Sequence, residues 1–523
     1  MTLLTRHIHS LFNQRLIILL IPGLLVMALL GMGFANPDIL VEITNNLNQF
    51  IFKNFGQFYL LFGLITLLIF PIIAISPLGS IRLGGANAKP NHSWFSWIAM
   101  LFTCGMGIGF MLWGAAEPLY HYLNPPLLRS ITSEQREAAA FYFTFLHWGL
   151  EPWAIYGMTA LVIGFLGFNL RRGFSLGSFI DAPDPEKRAA SVHAFFRQTL
   201  DVVMVVAIIF GIAATLASGV LNLEGGLQVL AHTPTGIPTE IVITLVLALI
   251  YITSAARGID QGLKVLSNIS VILSFLLLGV LIWVGPQARM VDILIHDVPT
   301  YLEQLLPLSL GIGEFREADW LNQWTIKYWS WWIAWAPFVG LFIATISRGR
   351  TIRELLIAVM LVPSIYSLLW FTVLGETAIS LQQSTMIVGE SFDWNNVTTL
   401  LFSVLGYYTG NPALSWLGIG LVAIFICNSA DSASYIMACF TDQNIKEDGK
   451  HGLQIFWGVL FAFLTISLLM ISSSTEYNAL FILQQINQIT ALPFTILLLI
   501  VFGKVVLDII GYWYKIRKKK SLG

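Results

Sequence analysis

The sequence predicts an all-α integral membrane protein with twelve transmembrane helices, and three observations carry that expectation. Of 523 residues, 56% are hydrophobic and only 11% charged, against about 25% charged in an ordinary soluble domain. Mean hydropathy is +0.75. Apolar runs bounded by polar turns fall near 15–35, 57–77, 94–120, 138–166, 199–223, 238–256, 264–285, 324–347, 354–379, 414–440, 453–472 and 490–512. Each is close to the roughly 20 residues that cross a bilayer core as a helix.

No small-residue cleavage site follows the first run, Leu16–Ala35, which therefore reads as a retained helix rather than a signal peptide. The widest polar gaps are 167–198, 286–323 and 380–413. Within the second, Val298–Leu310 looks helical but too short to span, and is placed at the interface. With both termini cytoplasmic, inside segments hold twenty-one Lys/Arg and outside loops five: Lys53, Arg129, Arg136, Arg289 and Arg316. That asymmetry orients the bundle in the plasma (inner) membrane. The basic run Lys515–Lys520 reads as a topology anchor or, alternatively, a contact for anionic membrane lipids. Lys504 and Asp508, spaced i,i+4, can pair on one helix face.

Composition also excludes classes. A net charge of −1 gives no field for nucleic acid, so no such partner is expected. Three cysteines, no C-x-x-C and no visible metal-ligand cluster argue against a disulfide framework or a zinc site.

Three intramembrane segments are too unusual for lipid-facing helix. Thr103–Gly109 contains Gly105, Gly107 and Gly109. Alternating glycines each cost about 1 kcal/mol in a helix, and they permit either local unwinding around a binding site or close helix packing. Trp324 to Phe338 carries five Trp in its first twelve residues (Trp324, Trp329, Trp331, Trp332, Trp335), with Pro337 just beyond. His147 to Tyr156 carries Trp148, Glu151, Trp153 and Tyr156. Aromatic faces converging in an apolar bundle suit a cation that cannot hydrogen-bond, namely a quaternary ammonium.

These residues carry a resemblance to the betaine/choline/carnitine transporter (BCCT) family. Gly105–Gly109 leading to Gly114-Ala-Ala-Glu117-Pro118 resembles its glycine motif, and His147–Tyr156 its aromatic helix. Trp324–Phe338 followed by Ser347-Arg348-Gly349-Arg350 resembles its signature segment, and Ser429-Ala430-Asp431-Ser432 its tenth-helix motif. The resemblance implies a single LeuT-type transporter domain, two inverted five-helix repeats preceded by two extra helices, assembled as a homotrimer. Residues 1–93 would hold the tail and extra helices, 94–285 the first repeat, 286–323 an interfacial region, 324–512 the second repeat, and 513–523 a basic tail. It also implies residue roles. Trp148, Trp153, Tyr156 and Trp332 match the central aromatic box, while Trp329, Trp331 and Trp335 match the path and alternative cation contacts. Met106 matches the unwound segment. A sodium site maps to Thr103, Met106, Phe425, Asn428 and Ser429, and Phe338 maps near a second ion. Two positions depart from the family pattern: Asn428 stands where a Thr is frequent, and Ile212 replaces a Thr hydroxyl.

Glu151 has three readings: a protonatable coupling site, an aid to a cationic substrate, or a satisfied structural acid. Glu117 and Asp431 read as helix braces. The expected function is secondary active import of glycine betaine, choline, carnitine or a related compound, with Na⁺ or H⁺ as coupling ion and no cofactor. Proton-coupled choline uptake and substrate/product exchange are alternatives. From other classes come a membrane enzyme using His147 and Glu151, for which no nucleophile motif is visible, and a channel, for which no pore-loop repeat is visible.

Overall fold

Helix starts follow local capping chemistry. Asn36 accepts from the Ile39 amide ahead of Pro37, and Ser93 accepts from Ser96. Thr132 with Gln135, and Thr351 with Glu354, form reciprocal capping boxes. The computed structural model describes residues 20–126, 132–180, 191–312, 320–387, 397–441, 451–475, 482, 484–485 and 488–521, with the backbone alone at 102–106, 191–194, 259–260, 409 and 519–521.

The helices are α1 (Leu20–Ala35), α2 (Pro37–Ile75), α3 (Trp94–Leu123), α4 (Ser133–Trp148), α5 (Leu150–Gly164), α6 (Ser191–Ala231), α7 (Ile237–Gly258) and α8 (Lys264–Val284). They continue as α9 (Gln287–Asp292), α10 (Val298–Ser309), α11 (Trp320–Gln323), α12 (Thr325–Ile346), α13 (Ile352–Thr385), α14 (Val397–Thr409), α15 (Ala413–Thr441), α16 (His451–Ser472) and α17 (Ala491–Ser521). Among the described residues, ten helices are long and apolar enough to cross a membrane, and no strand is present beyond one isolated bridge. The pairing of α12 with α5 is the most extensive, followed by α16 with α7 and α13 with α3. This buries the Trp-rich segment of α12 against the aromatic segment of α5.

That bridge joins the loop before α3 to the loop before α13. Arg82 pairs with Thr351, the Leu83 amide donates to Arg350 O at 2.9 Å, and Gly349 donates to Leu83 O at 2.9 Å. Gly349 has φ +81°, and a Cβ there would lie 2.2 Å from the Lys89 carbonyl carbon, so only glycine fits. Arg350 is buried, its guanidinium 4.2 Å from the Trp94 ring and 4.6 Å from Trp97. Trp97 Nε1 donates to Ser347 Oγ at 3.0 Å. Elsewhere Lys504 pairs with Asp508 as its spacing predicts, and Arg172 joins them at 3.2 Å.

Three features depart from the sequence expectation. Helix α3 runs unbroken through Gly105–Gly109, so of the two readings open for the glycines the local unwinding, and with it the unwound segment that the resemblance implied at Met106, is absent. Close packing takes its place: a Cβ on Gly107 would fall 2.4 Å from Phe425 Cγ, and one on Gly109 would fall 2.8 Å from Trp148 Cη2. Dispersion attraction at this close approach offsets the propensity cost of glycine.

The backbone break lies instead at Gly149, inside the segment expected as one continuous span. A Cβ on Gly149 would meet Phe145 O at 2.5 Å and Tyr301 Oη at 2.6 Å. Tyr301 belongs to α10, and its hydroxyl accepts from the freed Leu150 amide at 3.1 Å. Pro152, in the first turn of α5, has no amide to satisfy. The short helix expected over Val298–Leu310 is present as α10 (Val298–Ser309), and it serves as a brace for this break. The third departure is α14, an additional helix within the gap 380–413. Its Val397, Leu400, Leu401, Phe402, Val404 and Leu405 are buried, and the helix packs on α6 and α3.

Gly149→Ala should therefore destabilise the protein by about 1–3 kcal/mol through overpacking. A lower thermal midpoint in detergent checks this. An unchanged midpoint would mean that α10 yields without cost.

Candidate functional site

The site is built outward from Glu117 on α3, which is fully buried. Its Oε2 accepts from Trp148 Nε1 at 2.7 Å and from the Tyr328 hydroxyl, and Oε1 lies 2.7 Å from His147 Nδ1. His147 Nε2 in turn is 3.0 Å from Thr325 Oγ1. One carboxylate thus ties α3, α4 and α12 together, and charge-assisted bonds of this kind are roughly twice as strong as neutral ones. The brace expected at Glu117 is present. Asp431 likewise accepts from Ser254, joining α15 to α7.

The break at Gly149 leaves the last carbonyls of α4 without helical partners. Trp332 uses one of them: its Nε1 donates to His147 O at 3.0 Å. With its indole so fixed, Trp332 becomes the centre of an aromatic cluster. Its ring centroid lies 5.4 Å from Trp148, 5.9 Å from Trp153 and 5.1 Å from Tyr156, all edge-to-face, and 6.1 Å from Trp331. Edge-to-face pairs contribute about 0.5–1.5 kcal/mol each beyond burial.

A pocket opens against this cluster at the meeting of α3, α4, α5, α6, α12 and α15. Trp148, Tyr156, Trp331, Trp332 and Trp335 supply its aromatic walls. Gly107, Ile108 and Gly109 form the floor, and Thr215 and Ser429 add hydroxyls. None of these ten residues is charged, so a bound cation would meet π faces, hydroxyl dipoles and backbone rather than a lining carboxylate.

The structure sorts the expected residues. Trp153 packs behind Trp332 rather than on the pocket wall. Trp329 is fully buried on the far side of α12, where its Nε1 and Glu151 Oε1 both close on Gly63 of α2. Glu151 points the same way, accepting from Ser309 Oγ of α10 at 2.5 Å, and is not among the pocket residues. Phe425 covers Gly107, and Phe338 packs edge-to-face on Trp335 at 5.7 Å. Asn428 Nδ2 donates to Ser270 Oγ at 3.2 Å, while its buried Oδ1 has no hydrogen-bond donor among the described residues. Gly105 is described by its backbone alone, within α3, and the side chains of Thr103 and Met106 lie outside the described residues.

Sequence reasoning missed Tyr328, Thr325, Ile108 and Thr215. Tyr328 had a signal, since it lies i,i+4 from Trp324 and one position before Trp329. Thr215 had none, being one small polar residue in an apolar helix. No metal-ligand cluster is visible in the sequence either, yet Glu117, His121 and His147 offer ligand atoms within 4.8 Å of one another. Folding α4 against α3 brings together residues thirty positions apart.

These features first define a class: a multi-pass helical membrane protein whose candidate site is an aromatic pocket lined by uncharged residues. The chain belongs to BCCT, the betaine/carnitine/choline family transporter, whose family model matches residues 17–510. It is 32% identical over 492 residues to the glycine betaine transporter OpuD of Bacillus subtilis, covering 94% of this chain and 93% of that protein. Identity to glycine betaine transporter 1 of Vibrio parahaemolyticus is 36% over 459 residues, 86% and 84% of the two chains. The high-affinity choline transport protein of Escherichia coli matches at 31% over 466 residues, 87% of this chain and 66% of that one.

The protein is a transporter and not an enzyme. His147 and Glu151 agree with this, since one faces Glu117 and Thr325 and the other faces Ser309. They share no reaction centre.

Proposed function

We propose that the protein imports a quaternary-ammonium compound, with glycine betaine, choline and carnitine as the leading substrates, by ion-coupled secondary transport. One observation carries the reading: the pocket presents five aromatic side chains and no carboxylate. A primary ammonium would leave its three donors short of acceptors there. A trimethylammonium group has no donors to lose and is stabilised by about 1–2 kcal/mol per desolvated face. Relatives named as glycine betaine and choline transporters support the same substrate class.

In this reading the twelve apolar segments all span the inner membrane, with both termini cytoplasmic. Two inverted repeats, α3–α8 and α12–α17, follow the peripheral α1 and α2, and three copies form a trimer. Matched helix pairings support the repeat. Packing of α12 on α5 is mirrored by α3 on α13, that of α15 on α7 by α6 on α16, and that of α13 on α8 by α5 on α17.

For the coupling ion, Asn428 is the residue to test. Its donor-free Oδ1 fits a hard cation that prefers oxygen, while Ile212, buried in α6, offers no oxygen. At most one sodium site follows, giving one Na⁺ per substrate. Proton coupling through Glu151 is the second reading, because this buried carboxyl joins α5 to α10 beside the Gly149 break.

Labelled betaine, choline and carnitine should be offered to proteoliposomes under separately imposed Na⁺ and pH gradients. Sodium coupling predicts uptake that fails without Na⁺ and an Asn428→Ala variant with weakened sodium dependence. Proton coupling predicts that Glu151→Gln abolishes pH-driven accumulation yet retains exchange. Accumulation driven only by an opposing substrate would overturn both.

A further inference from the structure

Glu117, His121 and His147 form a cluster that the transport reading does not use in full. All three are completely buried. Glu117 and His121 are one helical turn apart on α3, and His147 approaches from the last turn of α4. Glu117 Oε1 lies 2.7 Å from His147 Nδ1 and 3.6 Å from His121 Nε2. His121 is the anomaly. Neither of its ring nitrogens makes a hydrogen bond among the described residues, although buried polar atoms are nearly always satisfied.

We propose that these three side chains form a binding site for a first-row divalent transition metal of the Zn²⁺ type. Two imidazoles and one carboxylate are a recurrent zinc donor set, with a fourth position left open. Metal–ligand distances of about 2.0–2.1 Å put neighbouring donor atoms about 3.3 Å apart in a tetrahedron. The Glu117–His121 separation of 3.6 Å is close to that value, whereas the Glu117–His147 hydrogen bond at 2.7 Å opens and the donor atoms, within 4.8 Å of one another, draw together as the ion enters. The supporting contact is also in place: Thr325 Oγ1 at 3.0 Å from His147 Nε2 can fix the ring tautomer that turns Nδ1 toward the ion.

Around the cluster the walls are aromatic. The Trp324 ring centroid is 4.4 Å from that of His121, and Tyr328 stacks on His147 at 4.6 Å. Such walls exclude water and face the residual positive charge with π density. His121 lies in the last turn of α3, two residues before its end.

The test uses the full-length purified protein, stripped with a chelator, equilibrated with Zn²⁺ and analysed for metal content. Wild type should retain one Zn²⁺ per chain. His121→Gln should bind at least tenfold more weakly with an unchanged elution profile, and Thr325→Ala should weaken binding severalfold while keeping all three ligands. Co²⁺ loading should give a visible d–d band in wild type that His121→Gln lacks. Substoichiometric Zn²⁺ in wild type, or equal retention by His121→Gln, would overturn the site.

One consequence rests on the transport reading. An ion drawing on Glu117 competes with the bonds that orient Trp148 and Tyr328, so Zn²⁺ should slow uptake by wild type and spare His121→Gln. Equal sensitivity of the two proteins would remove that consequence, whereas metal content alone decides the site.

Discussion

Trp332→Leu is expected to raise the apparent KM for the transported cation at least tenfold, about 1.4 kcal/mol of binding free energy, with normal expression in the membrane. Trp332 sits at the centre of the cluster, edge-to-face with Trp148, Trp153 and Tyr156, and lines the pocket itself. Leucine removes the π face and also abandons the bond to His147 O. Trp332→Phe keeps a weaker face and should fall between the two. Trp329→Phe provides the contrast. That side chain is just as buried but lies against Gly63 on the opposite side, so KM should change far less. Initial-rate uptake in proteoliposomes checks the series, and equal KM values for wild type and Trp332→Leu would remove Trp332 from the site.

The second large effect is on stability. Glu117→Leu leaves the Trp148 indole N–H, the Tyr328 hydroxyl and His147 without their shared acceptor in a buried setting. A stranded buried donor costs about 1–3 kcal/mol, so several kcal/mol are at stake across three helices. A marked drop in thermal midpoint and in folded yield is expected. Glu117→Gln should be intermediate, because its amide oxygen accepts from one or two of the donors while its NH₂ opposes the third. A leucine variant as stable as wild type would mean that these donors find other acceptors.

Much of the fold was legible because a membrane span needs a long apolar run, and that signal survives without knowledge of packing. The aromatic residues were legible as well. Trp148, Tyr156, Trp331, Trp332 and Trp335 are too concentrated for lipid-facing helix, and the pocket gathers all five. What the sequence could not rank was which face of a helix each ring takes. Trp329 and Trp332 are three residues apart in α12; the family resemblance separated them as path contact and central box, and in the structure Trp329 lies beside Glu151 while Trp332 lines the pocket.

The glycines left two readings open for a physical reason. A run such as Gly105–Gly109 is equally good for unwinding and for close approach, and the neighbours Phe425 and Trp148 decide between them. Those neighbours are hundreds and tens of residues away in sequence. The break at Gly149 was hidden in the same way, since it depends on Tyr301 arriving from α10 to accept the Leu150 amide. The Glu117–His121–His147 cluster likewise depends on how α3 and α4 pack, which no spacing rule encodes.

Cation recognition by the pocket is tested most directly by a competition between a trimethylammonium substrate and its neutral carbon isostere. Choline and 3,3-dimethylbutan-1-ol have nearly the same shape and differ in the charge. Binding to an uncharged aromatic pocket by cation–π attraction predicts that unlabelled choline displaces labelled substrate from the purified transporter, while the isostere does so at least tenfold more weakly. Equal displacement by the two would show that the pocket reads shape and apolar area alone, and would contradict the assignment of a quaternary-ammonium site.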